Sequence, residues 1–145
     1  MATLNRDACE VMIEVGVNAC TDITGFGLLG HLHEMSSGSG VNVELSIESV
    51  PTITAAWDLA GAGAVPGGTL NNLAHVQGKV HFGDGVSEVA QLLLADAQTS
   101  GGLLISVPEE RGNELLKALR TRGVNEAAMI GRVIDKGDGR IIVNG

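Results

Sequence analysis

The sequence predicts a single α+β or α/β domain, and three observations carry that prediction. Apolar residues recur at helical spacing in some segments and alternate at strand spacing in others, and the two kinds interleave along the chain. No low-complexity linker longer than a few residues separates them. The 145 residues are one domain's length, and 44% hydrophobic content is enough to bury one core.

The elements follow in order. Leu4, Ala8, Val11, Met12 and Val15 make one face of a helix over 4–15, which Asn5 or Thr3 is expected to cap and Gly16 to end. Val17 to Cys20 reads as a short extended piece. The segment Gly25–Leu32 is apolar nearly all round, so a helix there is buried in its first turns, and Ser36–Gly40 reads as a flexible turn. Val41, Val43, Leu45 and Ile47 alternate with polar residues as in a half-buried strand. Pro51 opens a helix through Trp57 to Ala60, followed by a loop from Gly61 to Asn72. Val76–Phe82 is a further strand, and Val86, Val89, Ala90 and Leu93 form a helical stripe. Leu103–Val107 is a short apolar strand. Pro108, Glu109 and Glu110 suit a first helical turn, Leu115, Leu116 and Leu119 its apolar face, and Arg120, Arg122 and Gly123 its end. Ala128–Ile134 and Arg140–Val143 flank Asp135-Lys136-Gly137-Asp138-Gly139, which reads as a hairpin.

Composition excludes several functions. The longest apolar runs, Leu92–Ala95 and Gly101–Val107, are far too short to cross a membrane as a helix. No basic segment precedes an apolar one as in a secretory signal, so the expected location is cytoplasmic. Nine Lys plus Arg against seventeen Asp plus Glu give a formal charge of -8, which argues against nucleic acid or anionic lipid as a partner. Aromatic residues are 2% of the chain, so the core is aliphatic, and 21 glycines are about twice the ~7% of average usage. The glycines cluster tightly between periodic elements, which rules out disorder as their explanation. Cys9 and Cys20 form no CxxC pair and read as free thiols of a reducing compartment. His31, His33, His75 and His81 lack metal-ligand spacing and read as ordinary surface or supporting residues.

Three glycine clusters are the candidate chemistry. In Thr21-Asp22-Ile23-Thr24-Gly25-Phe26-Gly27 a carboxylate and a hydroxyl end an extended segment just before a helix. Such a helix start offers amides to an anion, and the carboxylate suits a hard cation such as Mg²⁺. Capping by Asp22 and Thr24 explains the same residues, and the motif alone does not choose. Val65-Pro66-Gly67-Gly68-Thr69, with Asn72 beyond it, allows close backbone approach, but taken alone it reads as an ordinary surface turn. Asp96-Ala97-Gln98-Thr99-Ser100-Gly101-Gly102 is a polar turn feeding a buried strand. No Walker-type loop, dinucleotide fingerprint or nucleophile triad is present.

Taken together, these loops resemble a known family. Ala19-Cys20-Thr21-Asp22-Ile23-Thr24-Gly25-Phe26-Gly27-Leu28-Leu29-Gly30-His31-Leu32 is similar to the signature of the selenophosphate synthetases (selenide, water dikinases). Pro66-Gly67-Gly68-Thr69 with Asn72, and Gln98 through Ile105, match the same family in the same order. The resemblance covers essentially the whole chain but only the C-terminal half of the family's proteins. It departs in Asp96-Ala97-Gln98, where the family usually has Asp-Pro-Gln.

The resemblance implies a mixed sheet with helices packed on it, as in the C-terminal domain of aminoimidazole ribonucleotide synthetase. Residues 1–145 would be the C-terminal domain of a two-domain homodimeric enzyme that makes selenophosphate, AMP and phosphate from selenide, ATP and water with Mg²⁺. Asp22 becomes the expected metal ligand, and Asp22, Thr24, Gly67, Gly68 and Thr69 the expected Mg²⁺–ATP contacts across an interdomain cleft. No catalytic residue is expected in this chain, because the family's reactive cysteine or selenocysteine and its lysine belong to the N-terminal domain. The expectation is therefore a truncated or proteolysed piece, inactive alone. Two other readings stand beside it: a non-catalytic binding module on the same fold, and another ATP-dependent relative, either a purine-biosynthetic synthetase or a thiamine-phosphate kinase.

Overall fold

The computed structural model describes residues 4–145. Helix α1 spans Arg6–Val15, and Gly16, at φ 81, ends it by donating its amide to Met12. Thr3, one of the two expected caps, lies outside the described residues. Asn5 occupies the N-cap position, but its side chain does not cap; it reaches across to the Gly101 carbonyl at 3.1 Å. Leu4 does not join the apolar face and stays exposed.

Strand β1 (Ala19–Asp22) pairs antiparallel with β4 (Leu103–Ser106), so the first and third glycine clusters become neighbours. Side chains alternate across this two-stranded ribbon. Leu104 enters one core with α2 (Gly27–Ser39) and α5 (Glu88–Ala95), while Leu103 and Ile105 pack with α1 and α6 (Gly112–Thr121). The ribbon thus lies between two apolar clusters, one on each face.

The larger cluster is built on a four-stranded sheet, β3-β6-β2-β5. Strand β2 (Val41–Ser46) carries Val43 and Leu45 inward, as the alternation predicts. Strand β6 (Ile141–Asn144) runs parallel to both β2 and β3 (Val80–Phe82), and β5 (Gly131–Lys136) runs antiparallel to β2. The sheet is therefore mixed, and the fold class is the one the sequence predicts.

Five features differ from expectation. The polar stretch Ser36–Ser39 continues α2 rather than forming a turn, because Ser36 is buried with its hydroxyl donating to Gly139, and Gly40 at φ 66 supplies the left-handed end. Helix α3 starts at Thr54, three residues after Pro51. The expected loop over 61–72 contains the start of α4 (Gly67–His75), entered from Pro66 with extended backbone. Val76 closes α4 instead of starting the next strand, which begins only at Val80. The last two strands are not a hairpin: β2 lies between them, pairing with β5 on one side and β6 on the other. Gly137 donates to the Gly40 carbonyl at 2.9 Å as the connection passes over the end of β2.

Candidate functional site

The three glycine clusters, 40 or more residues apart along the chain in two cases, converge around Ile23–Gly27. Beyond the β1–β4 ladder, Ile23 donates to Gly102 at 3.0 Å and accepts from Gly101 at 3.1 Å. A Cβ on Gly101 would overlap the Ile23 carbonyl, so this approach requires glycine. Gln98 donates its amide to Thr24 O at 2.9 Å. Gly27, at φ 67, sits so close to the end of α5 that a Cβ would lie 2.6 Å from the Ala95 carbonyl oxygen.

The second cluster arrives on α4. Asn72 donates to the Gly25 carbonyl at 2.8 Å and to the Ala95 carbonyl at 3.0 Å, bridging the first loop to the C-terminal end of α5, just before the third loop begins. Thr69 donates its hydroxyl to the Asp96 carboxylate. At 1% exposure Thr69 is a buried brace between α4 and the end of α5. Gly67 and Gly68 stay exposed at the start of α4, with open space where a Cβ would stand. Asn72, left unassigned by the sequence, ties α4 to the first loop and to the end of α5, and Thr69 ties α4 to the start of the third loop.

Asp22 ends β1 with an exposed side chain. Among the described residues, neither a hydrogen bond nor an ion pair engages its carboxylate. Capping does not explain it either. The N-cap position of α2 is Phe26, no side chain caps that helix, and the turn is closed by Gly27 donating its backbone amide to Thr24 O at 3.0 Å. The hydroxyl of Thr24 lies 3.1 Å from His31 Nε2 and caps no helix amide. Asp22 is therefore a solvated carboxylate that the fold itself does not use.

Nearby, Cys20 lies half-buried across from Ile105, and burial first, then the neighbouring Cys9 and Asp22 charges, push its thiol up from the usual range. Cys9 and Cys20 are both free thiols. Phe26 is half-exposed and meets His75 in a stacked arrangement at 6.4 Å between ring centroids. Surface grooves run along α6, lined by Leu116, Lys117 and Arg120, and beside β5, lined by Glu44, Met129 and Arg132. Neither reaches the converged loops.

No group of three His, Cys, Asp or Glu side chains among the described residues is placed to hold a metal ion. By its chemistry the exposed Asp22 carboxylate could give one oxygen donor to a hard cation such as Mg²⁺.

Residues 2–144 match the family model described as AIR synthase related protein, C-terminal domain. The chain is 50% identical over 136 residues to the selenide, water dikinase of Caldanaerobacter subterraneus subsp. tengcongensis, covering 94% of this chain and 39% of that protein. It is 52% identical over 135 residues to the selenide, water dikinase of Myxococcus xanthus, covering 92% of this chain and 38% of the relative. It thus spans about two fifths of the length of these relatives. Among solved structures, hydrogenase maturation protein HypE in complex with ATP shares the fold at TM-score 0.61 and 23% identity, over 99% of this chain and 38% of that one. The HypE–HypF complex matches at TM-score 0.65 and 17% identity, over 94% of this chain and 36% of that chain. The chain belongs to the family of AIR synthase related C-terminal domains.

Proposed function

We propose that this chain is the C-terminal domain of a two-domain selenide, water dikinase that makes selenophosphate, AMP and phosphate from selenide, ATP and water. The similarity to proteins of that name supports the reaction. One observation carries the assignment of the site: Asp22 is an exposed carboxylate, unused by the fold, at the point where three glycine-bearing loops meet.

In this reading Asp22 contributes one oxygen to Mg²⁺ on the ATP phosphates, facing a cleft completed by the rest of the enzyme. Bound Mg²⁺ neutralises the phosphate charge that builds up during transfer. Thr24 lines the same edge, and the exposed backbone at Gly67 and Gly68 lets phosphate oxygens approach the start of α4. Thr69 and Asn72 act behind them by holding the loops in register. The reactive cysteine or selenocysteine and the lysine come from the other domain, so this chain holds no catalytic residue. The enzyme works in the cytoplasm as a homodimer, on ATP and selenide, with neither nucleic acid nor membrane as a partner.

Asp22→Asn in the full-length enzyme tests the reading. The amide keeps the shape and removes the charge, so Mg²⁺-dependent formation of selenophosphate falls at least about tenfold, the equivalent of roughly 1.4 kcal/mol. The thermal midpoint stays put, because the carboxylate makes no contact within the fold. Unchanged turnover at limiting Mg²⁺ would overturn the assignment.

A further inference from the structure

Formal charge is absent from one long stretch of the chain. Between Glu48 and Lys79 the only charged residue is Asp58, in a sequence where Asp, Glu, Lys and Arg make up 18%. That stretch is not interior. Helix α3 (Thr54–Gly61) buries no residue, and α4 buries only Thr69. Ile53 just before α3, Leu59 within it and Leu70 on α4 are 78%, 56% and 53% exposed. Phe26, half-exposed beside the first glycine cluster, stacks on His75 at the end of α4 and carries the apolar surface toward the converged loops.

The surface around α1 and α6 is built differently. There Arg6 pairs with Glu10 at 2.9 Å, Arg122 with Glu14 at 3.1 Å and Arg111 with Glu114 at 3.2 Å, as on a face left in water. A single exposed leucine needs no explanation, whereas several on a stretch depleted of charge have the composition of an interface core. Nor does the fold need them. Trp57 and Leu73 already supply the apolar contacts of α3 and α4 with the core, and both helices pack on α5.

We propose that this face, α3 and α4 with Phe26, is where the enzyme's other domain docks. The inference rests on the two-domain reading above, and two facts select that occupant. The chain spans about two fifths of the length of its selenide, water dikinase relatives and matches a C-terminal domain, so in that reading a larger part of the enzyme has to be seated against it. The face is also continuous with the edge where the cleft is to be closed. Helix α4 starts with the exposed Gly67 and Gly68, and its Asn72 holds the Gly25 carbonyl. A domain that reaches Gly67 and Gly68 meets Leu70 one turn further along α4, with no charge there to desolvate.

Hydroxyl-radical footprinting of this chain and of the full-length enzyme, at equal concentration, tests the proposal. Oxidation at Ile53, Leu59 and Leu70 is expected to be at least about fivefold slower in the full-length enzyme, because a docked interface core excludes water. Ile13, 70% exposed on α1, keeps its rate and serves as the control. Leu59→Glu puts a charge into the contact, so in the full-length enzyme it returns Ile53 and Leu70 to within about twofold of their rates in the isolated chain. In the isolated chain the same substitution moves the thermal midpoint by less than about 3 °C, since the side chain already faces water. Equal rates in the two proteins overturn the proposal, as does protection that survives Leu59→Glu. Protection already present in the isolated chain and growing with its concentration gives the face to a second copy and overturns it too. Equal footprints with turnover still impaired by Asp22→Asn remove the docking face and leave the nucleotide site standing. A protected face with no effect of Asp22→Asn removes the site assignment alone.

Discussion

Single residues decide how closely the three loops meet. Gly27 combines a left-handed backbone with a contact that leaves no room for a Cβ, at 2.6 Å from the Ala95 carbonyl oxygen. Gly25, two positions earlier, has open space around it. Gly27→Ala is expected to lower unfolding free energy by at least about 1–3 kcal/mol, and Gly25→Ala to change it by less than about 0.5 kcal/mol. Urea titration of the two variants side by side measures the difference; equal midpoints would mean that the backbone at Gly27 relaxes without cost. At this scale the sequence was informative about Asp22 and silent about its neighbours. An aspartate before a helix reads first as a cap, and only the Phe26 N-cap and the contact of the Thr24 hydroxyl with His31 removed that reading. Thr69, in a segment that by itself reads as a surface turn, is a buried brace on Asp96.

Elements with strong apolar periodicity were legible; those held by long-range hydrogen bonds were not. Helices α1, α5 and α6 and strands β2 and β4 fall where their patterns place them. Helix α4 begins with two glycines, which disfavour helix by about 1 kcal/mol each, and it forms because Thr69 and Asn72 anchor it to residues 23 or more positions away. The apparent hairpin had the right turn residues but the wrong partner, since turn chemistry is local and strand order is not. One consequence is β5, an edge strand exposed along its whole length, with Val133 at 52% and Ile134 at 40% exposure. Unpaired edges of this kind template association between chains. Val133→Lys is expected to leave unfolding free energy within about 0.5 kcal/mol while lowering concentration-dependent light scattering. Scattering that does not fall would place self-association on another surface.

Across the whole molecule, two apolar clusters clamp the β1–β4 ribbon, so Asp22 projects from a strand end with packed side chains on both faces behind it. Among the described residues, no group of three His, Cys, Asp or Glu side chains is placed to hold a metal ion. One carboxylate supplies at most a small part of a Mg²⁺ shell. Calorimetric titration of this chain alone with Mg²⁺–ATP is therefore expected to give a Kd weaker than about 1 mM, with binding at least about tenfold tighter in the full-length enzyme. Micromolar binding by the isolated chain would show that these loops form a complete site, against the reading of a shared cleft.

The sequence by itself determined the α/β class, most of the periodic elements and the three glycine clusters with Asp22 among them. Those features are written in local spacing, which is fixed by helix and strand geometry whatever the rest of the chain does. Only the tertiary structure decided that the clusters meet, that α4 exists, that β2 parts the last two strands, and that Thr69 and His31 face inward. Each of these depends on hydrogen bonds and packing between residues distant in sequence, and no local pattern specifies which distant partner a polar side chain will find.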